Sequence, residues 1–234
     1  MKETSYPMRI NKYLALKGFA TRRAADLLIE EGKVMINGKK ALLGDKVHEG
    51  DAIAVRQNKR SYRYFAYNKP MGVITHSPQL GEKDIKSATS LRGIFPIGRL
   101  DKRSHGLIIL TDDGRVTERL LNPDYVHEKE YRVTVRDPLP KDFKKRMERG
   151  VNIEGYMTRQ CKVEIAGPKR FHITLIEGKK HQIRRMCAAL GVEIDDLERV
   201  RIMNIKLGML RSGDHRPIVK GELVEFKKQL GLLD

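Results

Sequence analysis

The sequence predicts an α+β protein built in two parts, and three features of it carry that prediction. Short helix-like segments, several closed by a glycine, alternate with apolar strand-like runs such as Leu107–Leu110. An Asn37-Gly38 pair follows a strand-like run, the strongest short-range signal for a hairpin. A polar, charged stretch without apolar periodicity, Gln57-Asn58-Lys59-Arg60-Ser61, separates a small N-terminal part from a larger remainder and reads as a linker.

Composition sets the class. A chain of 234 residues can bury one or two real cores. Its 47 Lys and Arg against 30 Asp and Glu give a net charge of +17 and a pI near 9.9. That excess is larger than the handling of small metabolites calls for and predicts a polyanionic partner. Residues 1–60 hold 13 cations and 7 anions, and the rest hold 34 and 23, so both parts should meet the polyanion. No apolar run reaches membrane-spanning length and Met1-Lys2-Glu3-Thr4 opens no secretory leader, so no membrane association and a cytoplasmic location are expected. Cys161 and Cys187 are isolated, without clustered histidines, so no metal site is expected. No glycine-rich nucleotide loop occurs, so no cofactor is expected either.

In chain order, Met8 to Leu16 reads as a short helix closed by Gly18. Thr21 caps a second helix, in which Ala24, Leu27 and Leu28 recur at helical spacing before Gly32. Val34 to Lys39 forms a strand and an Asn-Gly turn, further turns fall at Gly44-Asp45 and Gly50-Asp51, and Ala52 to Val55 is a strand. The cations Arg9, Lys12, Arg22, Arg23 and Lys33 fit either a solvated helix face or an anion-binding one.

The second part opens on a strand at Tyr64, stopped by Lys69-Pro70 and a glycine turn, and residues 75–92 read as a polar, mobile loop. Phe95 to Thr111 is the centre of the chain. Gly98 and Gly106 bracket a loop bearing Arg99, Asp101, Lys102 and Arg103, and Leu107–Leu110 pins it to a sheet. On spacing alone Asp101 is either a solvated turn residue or a carboxylate kept ionised by its cationic neighbours. Arg115 to Leu121 is a short helix with Val116, Leu120 and Leu121 inward. From His127 to Val135 the chain alternates as a strand with Tyr131, Val133 and Val135 on one face, where Tyr131 could be an ordinary core aromatic. Lys141 to Arg149 is a basic helix ended by Gly150, and strands follow near 161–165 and 171–176. Ile183, Met186, Cys187 and Leu190 form one apolar helical stripe flanked by Arg184 and Arg185. A strand over 197–204 and a closing helix from Gly221 to Leu230 complete the chain.

Gly98-Arg99-Leu100-Asp101, then Ser104-x-Gly106-Leu107 and Leu110-Thr111, resembles the signature loop of RNA pseudouridine synthases. Glu130-Tyr131-Arg132-Val133 resembles that family's second motif, and His181-Gln182-Ile183-Arg184-Arg185-Met186-Cys187 its third. Thr21-Arg22-Arg23-Ala24-Ala25 and Gly32-Lys33-Val34-x-Ile36-Asn37-Gly38 resemble an S-four-like RNA-binding domain. The likeness is to the RsuA/RluB/RluE/RluF family, and within it to the RluF type that acts on large-subunit ribosomal RNA. Ser104 stands where many members carry Thr, which keeps the hydroxyl.

The resemblance implies residues 7–57 as the RNA-binding domain, 58–63 as a linker and 64–234 as a catalytic domain. The latter should have a mixed, largely antiparallel sheet with flanking helices. It implies Asp101, Tyr131 and Arg184 as catalytic: Asp101 acts at the ribose, Tyr131 lies against the base, and Arg184 pairs with Asp101. Arg99, Lys102, Arg9, Arg22, Arg23, Lys33, Lys180 and Arg185 are implied to contact a structured ribosomal RNA, and a monomer is expected. A non-catalytic ribosomal RNA-binding or assembly protein would share the charge and the first domain but would not need that catalytic set. A synthase acting on 16S ribosomal RNA or a tRNA loop is the other alternative.

Overall fold

The computed structural model describes residues 5–56, 61–122 and 124–232, so residues 58–60 of the expected linker lie outside the described residues. The chain divides into two compact units. One comprises Met1–Arg63, Asp112–Tyr125 and Lys227–Asp234, and the other Tyr64–Thr111 and Val126–Phe226.

In the first unit, β1 (Met8–Arg9) leads directly into α1 (Ile10–Leu16). Residues 8 and 9 are therefore strand, not helix, because they pair with β4 (Lys46–Val47). α2 (Arg22–Glu30) is capped as expected by the Thr21 hydroxyl, which accepts from the Ala24 amide at 3.1 Å. Its inward residues are Ala25 and Ile29, and Leu27 is 59% exposed, one position off the expected stripe. β2 (Val34–Ile36), β3 (Lys39–Lys40) and β5 (Ile53–Val55) make a small sheet. Asn37 and Gly38 both take positive φ at its turn. Ile10, Leu14, Ala25, Ile29, Val34 and Val47 fill the core.

The second unit carries the large sheet. It begins with β6 (Tyr64–Lys69), then α3 (Ile85–Ala88), β7 (Phe95–Ile97) and β8 (His105–Thr111). Residues 75–92 are thus not a featureless loop: Asp84 and Ser87 form a reciprocal cap on α3, and Ile85 is buried. After Thr111 the chain leaves for α4 (Arg115–Leu121), which belongs to the first unit; there Arg115 donates to the Gly18 carbonyl and Arg119 to that of Leu16. Leu121, expected inward, is exposed.

Back in the second unit, β9 (Lys129–Val135) precedes α5 (Phe143–Glu148) and the hairpin of β10 (Asn152–Ile153) and β11 (Tyr156–Met157). β12 (Lys162–Gly167), β13 (Arg170–Leu175), α6 (Gln182–Ala189), β14 (Ile194–Ile202), β15 (Ile205–Lys206), β16 (His215–Pro217) and α7 (Lys220–Gln229) follow. The strand order is β12-β13-β9-β14-β8-β6-β16, antiparallel throughout except where β14 runs parallel to β8. This is the mixed, largely antiparallel sheet that was expected. The short hairpin, β15 and β16 were not foreseen, since two or three residues leave no periodicity to read.

Tyr131, Val133 and Val135 share one face, as alternation requires, and α5 and α6 pack there through Phe143, Met147, Ile183, Met186 and Cys187. Cys187 is a core residue whose thiol burial pushes up to about 12. Further along, Tyr67, Ile85, Leu100, Ile108 and Leu110 form a second cluster, and Tyr131 touches both. Gly106 lies where the parallel strands approach most closely. A Cβ there would sit 2.4 Å from the Arg199 carbonyl oxygen, and its φ is +102°.

Gly106→Ala should therefore destabilise the second unit by at least about 2 kcal/mol, through clash and strain together. Chemical denaturation measures this, and a wild-type midpoint would contradict the close approach.

Candidate active site

The loop between β7 and β8 carries Asp101, and its backbone is held at every step. Arg199 Nη1 donates to the Arg99 carbonyl at 3.4 Å. The buried Thr75 hydroxyl donates to the Leu100 carbonyl at 2.9 Å and accepts from the Leu100 amide at 3.0 Å. The Ser104 amide donates to the Asp101 carbonyl, the Gly72 amide to that of Lys102, and Arg184 Nη2 to that of Arg103 at 2.7 Å. Five consecutive carbonyls are thus satisfied from three other segments and from the loop itself. Beyond them Arg199 Nε donates to the Leu107 carbonyl at 2.7 Å, so one guanidinium ties both limbs of the loop. What remains free to act is the Asp101 side chain, 36% exposed.

The charges around it are unequal in access. Lys69 is fully buried and donates to the carbonyls of Pro70 at 2.9 Å and Val73 at 2.5 Å. Burial pushes its ammonium down to about 8, with Asp101 pulling it up and Arg199 pressing it further down. Arg199 is itself buried, and its Nη2 has no hydrogen-bond partner. Lys129 is likewise lowered to about 8, by burial first and Arg199 second. Lys69 and Arg199 are thus buried cations beside the loop, with Lys129 near Arg199, and the half-buried Asp101 carboxylate has the better access to solvent.

Arg184 is not the group that faces Asp101. Its guanidinium holds the Arg103 carbonyl and approaches the Ser104 hydroxyl at 3.4 Å. The side chain at ion-pairing distance is His181, with Nε2 3.3 Å from Asp101 Oδ1. His181 takes a left-handed conformation just before α6. Sequence reasoning missed it because the pairing depends on that turn. The turn is fixed by Gln182, whose side chain accepts from the Lys179 amide and donates to the buried Glu177 carboxylate at 2.7 Å. Tyr131 stands on β9 opposite Arg199 of β14, which in turn is opposite Gly106.

The other expected contact residues fall into groups. Arg99, Lys102 and Lys180 are exposed near the loop or before α6, and Lys102 pairs with Glu82 at 2.8 Å. Arg185 is committed to Glu154 at 2.6 Å and to the Ile153 carbonyl, so it braces the β10–β11 hairpin. Within the first unit, Arg9 and Arg22 line a concavity of about 330 Å³ with Lys12 and Lys46. Arg23 is exposed outside it, and Lys33 pairs with Glu31 at 2.6 Å. Among the described residues no group of three or more His, Cys, Asp or Glu side chains could hold a metal ion, and no helix is long and apolar enough to cross a membrane.

Thr75→Val keeps the shape but strands the Leu100 amide and carbonyl in the core, which should cost about 1–3 kcal/mol. Stability equal to wild type would contradict the double bond drawn from this hydroxyl. Lys69 sets a pH dependence. Below about pH 8 it is charged in both states and the folded protein carries the burial cost. Between about 8 and its ordinary 10.5 the folded state has shed a proton that the unfolded chain retains, so stability should rise with pH. Lys69→Met should remove that contribution, and an unchanged slope from pH 8 to 10 would refute it.

Comparison with known proteins identifies the family. The family model for RNA pseudouridylate synthase matches residues 63–189, and the S4 domain model matches residues 8–53. The chain is 41% identical over 229 residues to the dual-specificity RNA pseudouridine synthase RluF of Escherichia coli K12, covering 94% of this chain and 79% of that one. It is 34% identical over 234 residues to the ribosomal large subunit pseudouridine synthase B of Bacillus subtilis, covering 94% and 95%. A crystal structure of a pseudouridylate synthase superposes with a TM-score of 0.69 at 29% identity, over 95% of this chain and 99% of that one. A synthase model that matches more than half of the chain, together with 41% identity to a synthase over 94% of it, shows that this chain belongs to the RNA pseudouridine synthase family.

Proposed function

We propose that the chain converts a uridine of large-subunit ribosomal RNA into pseudouridine, with Asp101 as the catalytic carboxylate. The observation that supports this most is Asp101 itself, a half-buried but solvent-accessible acidic group on a loop whose neighbouring carbonyls are all held. In the reaction the bond between uracil N1 and ribose C1′ breaks, the base turns, and a C5–C1′ bond forms. The C5 proton leaves and N1 gains one. No group is imported and no oxidation state changes, so the chemistry itself calls for neither cofactor nor metal.

Asp101 acts at the ribose, as nucleophile or as base. His181, when protonated, offers the carboxylate a charge-assisted hydrogen bond, and Arg184 keeps the loop in place from the other side. Tyr131 lies against the base and assists proton transfer at C5. The uridine must leave its stack to reach Asp101, as in other base-modifying enzymes, and exposed Arg99 fills the space it leaves. Residues 7–57 supply affinity through Arg9, Arg22, Arg23 and Lys33, with Lys12 beside them, and Lys180 and Lys102 add phosphate contacts near the site. The name of the Bacillus subtilis relative, a ribosomal large subunit pseudouridine synthase, supports the substrate class, and the dual specificity named for the Escherichia coli relative supports testing a second RNA, such as a tRNA loop, beside it. A monomer is the matching reading, since the site is assembled within one unit of one chain, and a cytoplasmic location goes with a ribosomal RNA substrate.

Asp101→Asn keeps size and removes the reactive charge, so pseudouridine formation should become undetectable while RNA affinity holds or rises. The fold should persist, since the side chain is largely outside the core. Chemical labelling of pseudouridine on large-subunit ribosomal RNA, paired with filter binding, reads both, and an active Asn variant would falsify the assignment. Tyr131→Phe should slow the chemical step by about 10²–10⁴ with near wild-type binding. Full activity would reduce Tyr131 to a packing residue.

A further inference from the structure

Most strongly basic features of the second unit are already spoken for. Arg132 pairs with Glu198, Arg201 with Glu128 and Glu130, Arg216 with Glu222, and Arg136 with Glu193. One groove is different. Lys141, Lys144, Lys145 and Arg149 line an open concavity of about 640 Å³ with Glu148, Gln160 and Cys161. Lys144, Lys145 and Glu148 lie on α5 opposite its buried Phe143 and Met147, Arg149 caps its C-terminus, and Lys141 stands in the turn that leads into it at the spacing that continues the same stripe.

The single anion on that stripe is already engaged. Glu148 Oε1 accepts from the Val163 amide at 3.0 Å and lies 3.9 Å from Lys144. Among the described residues Lys141, Lys145 and Arg149 have no ion-pair partner. Cations near a helix C-terminus are favoured by its dipole, which accounts for Arg149. It does not account for Lys141 and Lys144, which stand at the N-terminal end where a positive charge is disfavoured. Like charges four residues apart also repel. The sequence therefore maintains a locally unfavourable concentration of charge, which a polyanion would neutralise.

The groove is also placed to meet the substrate away from the chemistry. α5 packs on β12, the outer strand of the sheet, which lies four strands and hence about 19 Å across the sheet from β8, the strand that follows the Asp101 loop. Between them lies a connected polar path. Lys179, next to Lys180 and His181, sits over the Tyr156 ring at 4.4 Å. Tyr156 donates to Glu177 at 2.7 Å, Glu177 also accepts from the Arg159 amide, and Arg159 leads into Gln160 and Cys161 on the groove wall.

We propose that the α5–β12 groove binds the sugar-phosphate backbone of the substrate RNA outside the modified nucleotide, as a second docking site remote from Asp101. The inference rests on the RNA-modifying function and adds where that RNA runs. The stripe is about 12 Å long from residue 141 to 149. That matches three to four nucleotide steps of one strand at about 3.4 Å each. Recognition would be by phosphate charge, so it is independent of base sequence.

The test uses the full chain with Lys141, Lys144, Lys145 and Arg149 changed to Gln, which is a comparable helix former at these exposed positions. The probe is a labelled transcript of large-subunit ribosomal RNA. The salt dependence of binding should flatten by about 2–3 in log–log slope, and affinity near 0.15 M salt should fall at least tenfold. The single-turnover rate at saturating RNA should stay within about twofold of wild type. A control, Arg136→Gln with Arg146→Gln, removes two paired cations of the same region and should change the slope little. An unaltered slope and affinity in the groove variant would overturn the proposal, as would an equal loss in the control. Loss of binding to poly-glutamate with RNA binding intact would reassign the groove to an acidic protein. Wild-type protein that neither binds nor isomerises the transcript would instead overturn the functional reading beneath it.

Discussion

The buried guanidinium of Arg199 reaches the Arg99 carbonyl on one limb of the Asp101 loop and the Leu107 carbonyl on the other. The rest of the second unit is arranged around that tie. β14 must run parallel to β8 and close to it for the side chain to arrive there, and the close approach in turn requires a glycine at 106. Thr75, Gly72 and Arg184 then fix the intervening backbone from elements that are distant in sequence. A loop with so many independent restraints has little freedom left to lose when RNA binds. The carboxylate we propose as catalytic is thereby positioned before a substrate arrives, which is where enzymes gain most from fixed geometry.

The electrostatics follow from the same arrangement. Lys69 and Arg199 are buried beside the loop and Lys129 is half-buried near Arg199, and each donates to backbone carbonyls. Placing cations there costs desolvation, and burial lowers both lysines as a result. Lys69 contributes positive charge close to the carboxylate we propose as catalytic. Asp101 remains accessible from solvent, with His181 beside it. The exposed cations form a different population, placed on the first unit's concavity and on α5, where they can exchange counterions for RNA.

Much of this was legible in the residues. Gly98 and Gly106 marked the loop, alternation put Tyr131 on the same face as Val133 and Val135, and helical spacing put Ile183, Met186 and Cys187 into the core. Thr21 and Asn37-Gly38 gave their cap and turn. The misreadings share one cause: each was decided by a partner far along the chain. Met8-Arg9 reads as helix until Lys46-Val47 draws it into a strand. The Ser-rich segment after Thr75 reads as loop until Leu100 claims the Thr75 hydroxyl and Ile85 enters the core. The resemblance implies Arg184 as the partner of Asp101, but its reach from α6 ends on the Arg103 carbonyl, and the αL turn at His181 brings the imidazole instead.

The central claim is that the Asp101 loop is rigid in the free protein. Amide hydrogen exchange tests it directly at Gly72, Leu100 and Ser104, whose amides donate to the Lys102 carbonyl, the Thr75 hydroxyl and the Asp101 carbonyl. All three should exchange as slowly as neighbouring amides of β8, and saturating RNA should slow them little further. Exchange at the rate of an open loop in the free protein, with protection appearing only on RNA binding, would contradict the account.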